Sequence, residues 1–235
     1  MPAHAAFQLP GGRNVQCDAT ATATVGDVRA YALLDGIGDN EDVRDWTRRT
    51  ARRLARAAAG RGDAEAGLRA VHQRIAAEPE RAGWRYGYQP GAVAVVAVAA
   101  PGKPVSIAWC GDARAYGFTH PEGLRKLTED HNMRQALINM GQTPGPNARH
   151  QVLSHLGSNT AKPMIGSTTW AAKGWLLLVS DGVYEPMEES CRSLGSYLGG
   201  YEPKHAVRHL VTDAVELSTS RRADNATALA VRLDR

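Results

Sequence analysis

The segment Leu176-Leu177-Leu178-Val179-Ser180-Asp181-Gly182 ends an apolar strand on a carboxylate, and it is the key to how this chain folds. A carboxylate that closes a buried strand is poorly solvated, so it needs a cation or a set of hydrogen-bond donors nearby. Asp181 by itself has an ordinary explanation, because Asp-Gly pairs commonly open turns. Whether Asp181 indicates more than a turn therefore depends on whether other apolar strands also end on a carboxylate.

Three more acidic residues lie where an apolar strand meets a turn, namely Asp35, Asp112 and Asp224. They are so far apart in sequence that only the fold can bring them together with Asp181. Hard oxygen ligands gathered in this way suit Mg²⁺ or Mn²⁺ rather than Zn²⁺. The pattern predicts a metal site, and simple turn or cap formation by each residue is the alternative.

Length and composition narrow the class of protein. With 235 residues, 43% of them hydrophobic and 22% charged, the chain is expected to form one soluble domain with a sizeable core. Cys17, Cys110 and Cys191 show no paired spacing, which argues against disulfides or a zinc site and predicts a cytoplasmic location. The start of the chain does not resemble a secretory signal, and the apolar run Ala92–Ala100 is too short to span a bilayer, so no membrane association is expected.

Much of the formal charge of +4 comes from one short stretch. It contains Arg44, Arg48, Arg49, Arg52, Arg53 and Arg56. This run predicts the solvated face of a helix, with binding of an acidic partner or of nucleic acid as the alternative. Only Trp46 interleaves with the arginines, so no nucleic-acid partner is expected.

Hydrophobic periodicity and turn residues predict the order of strands and helices. The predicted strands are Gln16–Thr24, Val28–Leu34, Ala92–Ala99, Val105–Cys110, Arg114–Thr119, Leu124–Leu127, Trp175–Ser180 and Thr227–Leu233. The predicted helices are Asp42–Ala59, Asp63–Ala77, a helix that Thr128 caps and that runs to Met140, and about Lys204–Ser218. Gly141 to Thr169 has little periodicity and predicts an irregular, functional excursion. Short hairpin links predict mainly antiparallel sheets with the helices outside.

Six short segments carry a family resemblance. They are Arg13-Asn14-Val15-Gln16-Cys17-Asp18, Leu34-Asp35-Gly36-Ile37-Gly38, Gly111-Asp112-Ala113-Arg114, Leu127-Thr128-Glu129-Asp130-His131, Ser180-Asp181-Gly182-Val183 and Asp224-Asn225-Ala226-Thr227. In this order and at these separations they resemble the motifs of the type 2C protein phosphatases, the metal-dependent serine/threonine phosphatases. The resemblance covers nearly the whole chain. Ile37 stands where animal members carry a histidine, so the chain looks like a bacterial member.

The resemblance implies an α+β fold, a four-layer sandwich of two antiparallel β-sheets packed face to face with helices on both outer faces. It implies a single phosphatase-like domain over residues 1–235, with a flap subdomain at about 141–169. The implied activity is that of a protein serine/threonine phosphatase, a hydrolase that removes phosphate from phosphoserine or phosphothreonine by a water bridging two divalent metals. The implied partner is a phosphorylated protein, with a serine/threonine kinase or its targets in the same signalling system.

The resemblance also implies the site residues. The metal ligands for two Mn²⁺ or Mg²⁺ ions are Asp18, Asp35, the carbonyl of Gly36, Asp181 and Asp224, with Asp112 at a third, weaker site. Asp35, Asp181 and Asp224 form the catalytic centre, and Asp35 bridges both ions. Arg13 grips the substrate phosphate, which suits the fork geometry of a guanidinium group. His131, at the start of the predicted helix, is expected to be structural rather than catalytic.

Cys17 departs from the pattern, because the family has Glu or Gln at this place. A neutral thiol is a poor ligand for Mg²⁺ or Mn²⁺, so the metal affinity could fall or the activity could become sensitive to thiol oxidation. The alternative function is therefore a catalytically weak, phosphatase-like domain that regulates or binds a phosphoprotein. A metal nuclease that uses the basic helix face is a third hypothesis.

Overall fold

The structure is a computed structural model, which describes residues 2–78, 89–160, 162–171, 173–218 and 223–233. Its strands are β1 (Ala3–Leu9), β2 (Ala19–Val25), β3 (Val28–Gly36), β4 (Ala92–Ala99), β5 (Val105–Cys110), β6 (Arg114–Thr119), β7 (Gly123–Lys126), β8 (Gly166–Trp170), β9 (Trp175–Val179) and β10 (Ala226–Arg232). Its α-helices are α1 (Glu41–Arg61), α2 (Ala64–Ala76), α3 (Met133–Asn139), α4 (Asp181–Glu189) and α5 (Pro203–Leu217). Short 3-10 helices span Ala148–His150 and Leu194–Tyr197.

The strands form two sheets of five strands each in the described part of the chain. One sheet has the order β1-β10-β9-β6-β7, and the other has the order β2-β3-β4-β5-β8. Neighbouring strands are antiparallel in every pair of both sheets. The predicted antiparallel arrangement is confirmed.

The hydrophobic core lies between the two sheets. Leu33 of β3 and Val95 of β4 pack there with Leu176 and Leu178 of β9. The alternate side chains of β4 and β9 point outward and are also buried, because helices cover both outer faces. Strands buried on both faces carry apolar residues almost without interruption, which is why the sequence of β4 is so apolar.

Helices cover the two outer faces and complete a four-layer sandwich. On the β2–β8 sheet, Leu54 of α1 and Leu68 of α2 pack against Val96 of β4. On the β1–β7 sheet, Met187 of α4 and Leu210 of α5 pack in one cluster with residues of β9 and β10. The fold class implied by the family resemblance is confirmed. None of the described helices is long and apolar enough to cross a membrane.

The arginine-rich segment forms one face of α1. Asn40 caps the helix by accepting a hydrogen bond from the Val43 amide at 3.0 Å, and Gly62 ends it in the left-handed conformation. Arg44 is partly exposed, and the five arginines from Arg48 to Arg56 are exposed. The predicted solvated helix face is confirmed.

The helix predicted to begin after Thr128 is wrong at its start. The structure begins α3 at Met133, and the cap is Asn132, which accepts from the Gln135 amide at 3.0 Å. The Thr128 hydroxyl instead accepts from the Ala115 amide at 3.3 Å. Hydrogen bonds between residues 127–131 and β6 or Gly111 hold this segment out of the helix, so His131 precedes α3 rather than starting it.

Two strands and one α-helix of the described chain were not predicted. Sequence analysis misses β1, and it misses β8, which lies inside the predicted irregular stretch and pairs with the edge of β5. It also misses α4, because Asp181-Gly182 is typical of a turn and Pro186 is unfavourable inside a helix. The part of the stretch before β8 is irregular, apart from the 3-10 helix Ala148–His150.

Candidate metal centre

Four of the predicted acidic residues meet at one end of the sandwich. Asp35 is the last residue but one of β3, and Asp18 directly precedes β2. Asp181 is the first residue of α4, and Asp224 lies two residues before β10. The charges of Asp18, Asp181 and Asp224 all raise the pKa of Asp35, so the fold brings these distant residues together.

Asn225 joins two of the segments that form the site. Its side-chain amide donates to the carbonyl oxygens of Pro10 and Val15 at 3.0 and 3.1 Å. Its side-chain oxygen accepts from the Cys17 amide at 2.6 Å. One buried side chain therefore fixes the loop before β2 against the segment that carries Asp224. Sequence analysis assigns Asn225 no role, although the residue lies inside the Asp224 motif.

Ser180 positions the start of α4. Its amide donates to the Thr227 carbonyl at 3.0 Å, and its hydroxyl accepts from the Thr227 amide at 2.9 Å. Next in the chain, Gly182 packs so closely on the Asn225 carbonyl that an added Cβ would clash with it. These contacts hold Asp181 beside the first residues of β10.

The end of β3 is tied to the same loop. An added Cβ at Gly36 would meet the Cys17 carbonyl oxygen at 2.5 Å, so only glycine allows this approach. Three residues later, Asp39 accepts from the Val15 amide at 2.9 Å and from the Asn14 amide at 3.3 Å. The carboxylates therefore come from segments that backbone contacts already hold in place.

Arg13 contacts the acidic cluster directly. Its guanidinium group donates to Asp224 Oδ2 at 2.7 Å, with side-chain exposures of 34% for the arginine and 40% for the aspartate. No other described residue forms an ion pair with Asp18, Asp35, Asp181 or Asp224. The cluster thus contains more negative charge than the described protein groups balance.

Asp18 is the most deeply buried member of the cluster. It is 0% exposed, and neither carboxylate oxygen has a partner at hydrogen-bond geometry, although the side chains of Thr227, Ser180 and Asp35 lie near it. Burial raises the pKa of Asp18 to about 7, although the nearby hydroxyls of Thr227 and Ser180 oppose the rise. Leaving a buried carboxylate unpartnered is costly, so this side chain indicates a site for a ligand.

The charged forms of Asp35 and Asp181 are disfavoured for the same reason. Burial raises the pKa of both carboxyl groups well above the usual value, and the neighbouring carboxylates raise it further. Oδ1 of Asp181 is buried without a hydrogen-bond partner. Like charges in one site cannot all ionise unless a cation compensates them.

Asp112 lies at the edge of the cluster. Its carboxylate is buried and accepts from the Asn132 side-chain amide at 3.3 Å. Burial raises the pKa of Asp112 to about 6, and its charge in turn raises the pKa of Asp35 and of Asp181. Asp112 therefore interacts electrostatically with Asp35 and Asp181, but its own carboxylate has a hydrogen-bond donor in Asn132.

The side chains are near neighbours without forming an assembled cage. Among the described residues, no three carboxylate, imidazole or thiol groups converge closely enough to hold a metal ion by themselves. The residues nevertheless fit hard divalent cations, because Asp18 and Asp181 offer buried oxygen atoms that no donor satisfies. Water ligands, which Mg²⁺ usually retains, would bridge the gaps between such side chains and an ion.

A cavity of about 280 Å³ opens beside the cluster. Arg13, Asp181 and Asp224 line it together with Arg149 and His150, which belong to the segment that sequence analysis assigns to a flap. Arg149 donates to Glu189 of α4 at 2.7 Å and so connects this segment to the helix that begins with Asp181. The separation of the flap as a subdomain stays a prediction.

Cys17 lies behind the cluster, not in the cavity. The residue is buried, and its sulfur contacts the Asn40 carbonyl oxygen at 3.5 Å. Burial raises the pKa of its thiol, which disfavours the thiolate that oxidants attack. Cysteine at this position is therefore expected to weaken metal binding, because a metal-binding group is missing. It is not expected to make the protein sensitive to oxidation.

No protein-family model matches the chain, and no curated protein matches it. Solved structures do match. PppA, a key regulatory component of the T6SS in Pseudomonas aeruginosa, is 24% identical with a TM-score of 0.76, over 98% of this chain and 97% of that chain. The PPM Ser-Thr phosphatase MsPP from Mycobacterium smegmatis, in complex with cacodylate, is 24% identical with a TM-score of 0.75, over 98% of each chain.

A third solved structure contains metal ions. The catalytic domain of the serine threonine protein phosphatase PstP, in complex with two manganese ions, is 21% identical with a TM-score of 0.72. The match covers 100% of this chain and 99% of that chain. The chain therefore has the fold of bacterial serine/threonine phosphatases along its whole length, and the resemblance indicated by its motifs is confirmed for the fold.

Proposed function

We propose that this chain is a metal-dependent phosphoprotein phosphatase of the type 2C family. The observation that carries the proposal is the group of buried carboxylates with unpartnered oxygens, set in the fold of serine/threonine phosphatases. Phosphate monoesters hydrolyse extremely slowly without a catalyst, so the site has to lower a very large barrier. A pair of divalent cations supplies a water of lowered pKa and positive charge for the phosphoryl oxygens.

The proposed ligands follow from the arrangement of the carboxylates. Asp35, Asp181 and Asp224 would hold one ion, while Asp35, the carbonyl of Gly36 and Asp18 would hold the other. The unpartnered oxygens of Asp18 and Asp181 support these roles. Manganese or magnesium suits such oxygen ligands, and the two manganese ions in the PstP structure favour the first. Asp112 would serve a third, weaker ion.

Arg13 would bind the phosphate of the substrate. In the structure Arg13 is paired with Asp224, which would turn toward a bound cation. The pair is partly exposed, so breaking it costs little, about 1 kcal/mol or less. The freed guanidinium group would then bind two phosphate oxygens through parallel hydrogen bonds.

The proposed substrate is a protein that carries phosphoserine or phosphothreonine. The phosphorylated side chain would enter the cavity between Arg13 and the segment with Arg149 and His150. Ile37, partly exposed at the end of β3, supplies no proton, so water would protonate the leaving alkoxide.

A second function, a catalytically weak domain that regulates or binds a phosphoprotein, is supported by Cys17. The family resemblance expects a side chain with oxygen at this place, and the buried thiol cannot replace it. PppA, which has the same fold, is described as a regulatory component. This reading keeps the phosphate-binding role of Arg13 and lowers the rate of hydrolysis.

Hydrolysis of p-nitrophenyl phosphate and of a phosphothreonine peptide, measured with and without Mn²⁺, tests the two functions. We expect turnover that requires Mn²⁺, is lost in Asp181→Asn and is retained in Asp27→Asn, a control in an exposed turn. Turnover that survives both chelation and Asp181→Asn would refute the metal-dependent phosphatase. Phosphopeptide binding without turnover, together with a gain of turnover in Cys17→Glu, would establish the regulatory function instead.

A further inference from the structure

The outer face of α1 carries an arginine stripe, which we define as Arg48, Arg49, Arg52, Arg53 and Arg56. We propose that this stripe binds an acidic segment of the phosphoprotein substrate and so helps to select it. The inference rests on the proposed phosphatase function, and it adds a second contact region outside the cavity.

Most cations of the stripe are unpaired among the described residues. Arg53 donates to Glu78 at 2.8 Å, whereas the other four arginines have no ion pair with any described residue. Some arginines elsewhere are paired, such as Arg69 with Glu65 and Arg232 with Glu202. The charges of the four unpaired arginines of the stripe are free to interact with another molecule.

The unpaired charges also oppose one another. Arg48 and Arg52, Arg49 and Arg53, and Arg52 and Arg56 are each four positions apart, which places them side by side on the helix. Like charges at this spacing destabilise a helix, and among the described residues an ion pair offsets them only at Arg53. A role in binding another molecule would explain why these arginines are present despite their cost to helix stability.

The stripe dominates the charge of the chain. Helix α1 contains seven arginines and three acidic residues, a balance of +4 that equals the formal net charge of all 235 residues. An exposed field of one sign attracts partners of the opposite sign over about a Debye length. The partner that fits the stripe is therefore anionic.

Helix α1 begins at the edge of the candidate metal centre. Asn40 caps the helix, and the preceding Asp39 binds the Val15 amide, two residues from Arg13. A rise of about 1.5 Å per residue puts Arg48 about 12 Å, and Arg56 about 24 Å, from the start of the helix. An extended peptide that leaves the cavity along α1 would reach the stripe after about four residues and its end after about eight.

The start of α1 affects how far from the phosphorylated residue the acidic segment of the substrate is expected to lie. Glu41, Asp42 and Asp45 are exposed at the start of the helix, and although Arg44 pairs with Glu41 and Asp45, the remaining negative charge would repel acidic residues close to the phosphorylated side chain. The attraction starts only beyond this part of the helix, at Arg48. The substrate should therefore carry its acidic residues about four to eight positions from the phosphorylated residue.

The chemistry of the stripe favours a protein segment over other anions. The exposed residues of α1 include no aromatic or large apolar side chain, so the face offers no stacking platform for bases and nothing to insert into a lipid layer. Guanidinium groups bind carboxylates through paired hydrogen bonds. A phosphoprotein already held at the cavity brings such carboxylates to the stripe.

Matched phosphothreonine peptides test the inference. One carries Asp and Glu residues about four to eight positions after the phosphothreonine, a second carries them before it, and a third has Gln and Asn at all these positions. The kcat/KM of each is measured with Mn²⁺ at low and at high ionic strength. At low ionic strength, we expect the kcat/KM of one acidic peptide to exceed that of the neutral peptide by about tenfold, because its KM is lower. At high ionic strength this advantage should disappear.

A stripe variant and a charge-matched control make the test specific. In Arg48→Gln/Arg52→Gln/Arg56→Gln, the advantage of the acidic peptide should fall to about twofold or less, since three exposed ion pairs are lost. In Lys103→Gln/Arg125→Gln/Lys204→Gln, which removes the same charge from exposed sites away from α1, the advantage should remain. The charge-reversed Arg48→Glu/Arg52→Glu/Arg56→Glu should instead prefer a peptide with a lysine segment.

The outcomes are distinguishable. A wild-type chain that hydrolyses all three peptides equally, or an equal loss of preference in both triple variants, overturns this inference alone. A chain that hydrolyses none of them overturns the proposed function and this inference with it. Tighter binding of an RNA oligonucleotide or of phosphatidylserine vesicles than of the acidic peptide, lost in the stripe variant, would assign the stripe to another partner and also overturn it.

Discussion

Two buried carboxylates in this protein have opposite surroundings. Asp130 accepts two hydrogen bonds from the Arg114 guanidinium group, at 2.9 and 2.7 Å, and Lys126 lies 3.7 Å away. Asp18 is buried as deeply, and neither of its oxygens has a partner. The first carboxylate is neutralised by the protein itself, and the second is not.

The difference separates a charge that the protein pairs with its own cation from a charge that it leaves unpaired. Arg114 also donates to Glu188 of α4 at 2.6 Å and lies over the ring of Tyr184 at 3.5 Å from its centre, so its ion pairs hold the helix in place. In the described part of the chain, no cation forms an ion pair with Asp18, Asp35 or Asp181. Both carboxylates lie in segments that resemble motifs of one family, and only the one without a protein cation fits the proposed metal centre.

The largest expected effect is on catalysis. Asp35→Asn removes the charge that the proposal places between both ions, and kcat/KM for p-nitrophenyl phosphate should fall on the order of a thousandfold. Steady-state kinetics with saturating Mn²⁺ measures it, with Asp27→Asn as the control. Activity within tenfold of wild type would mean that this end of the sandwich is not the reaction centre.

Replacing each buried carboxylate should change stability in opposite directions. Asp130→Asn leaves the Arg114 charge without its partner and should lower the free energy of unfolding by about 3–5 kcal/mol. Asp18→Asn removes an uncompensated charge and should raise it by about 2 kcal/mol in metal-free protein at pH 8. Urea denaturation in the presence of a chelator measures both. A destabilised Asp18→Asn protein would show that its carboxylate has a hidden partner.

The pH dependence of stability is a further test of whether the charge of Asp18 is uncompensated. Burial raises the pKa of Asp18 from its usual 3.8 to about 7, so between these values the folded state binds more protons than the unfolded state. The free energy of unfolding of metal-free protein should therefore fall as pH rises from about 4 to about 7, by a few kcal/mol. Denaturation curves over this range measure it, and Mn²⁺ should restore the loss. A slope that is the same in Asp18→Asn would assign the effect to other groups.

A smaller effect is expected at Asn225, which supports the site without belonging to it. Asn225→Ala removes three hydrogen bonds to the loop before β2 and should weaken Mn²⁺ binding about 10- to 100-fold. Isothermal titration calorimetry measures the affinity, and Asn139→Ala on the exposed side of α3 is the control. Unchanged affinity in a folded Asn225→Ala protein would separate the loop from the metal site.

Much of the fold can be predicted from local patterns. The bounds of β4, β5 and β6 agree with the prediction, because Ala92–Ala99 and its neighbours are apolar runs between clear turns. The elements that were missed depend on distant contacts. Strand β1 is stabilised by pairing with β10 at the other end of the chain, and α4 forms although Asp181-Gly182 and Pro186 disfavour a helix.

The proximity of the carboxylates could be predicted from the sequence, but the contacts that hold their segments in place could not. Apolar strands that end on Asp35 and Asp181 indicate charges in need of a cation, and the structure brings those residues together. The pairing of Arg13 with Asp224, the absence of partners around Asp18 and the bonds of Asn225 depend on segments more than 200 positions apart. No local pattern contains that information.

A crystal of the protein soaked in manganese and measured at the manganese absorption edge tests the central claim most directly. The account predicts two anomalous peaks about 3.5–4 Å apart, with Asp35 between them and Asp181, Asp224 and Asp18 around them. An absence of peaks at these carboxylates, at a pH where all of them are ionised, would contradict it.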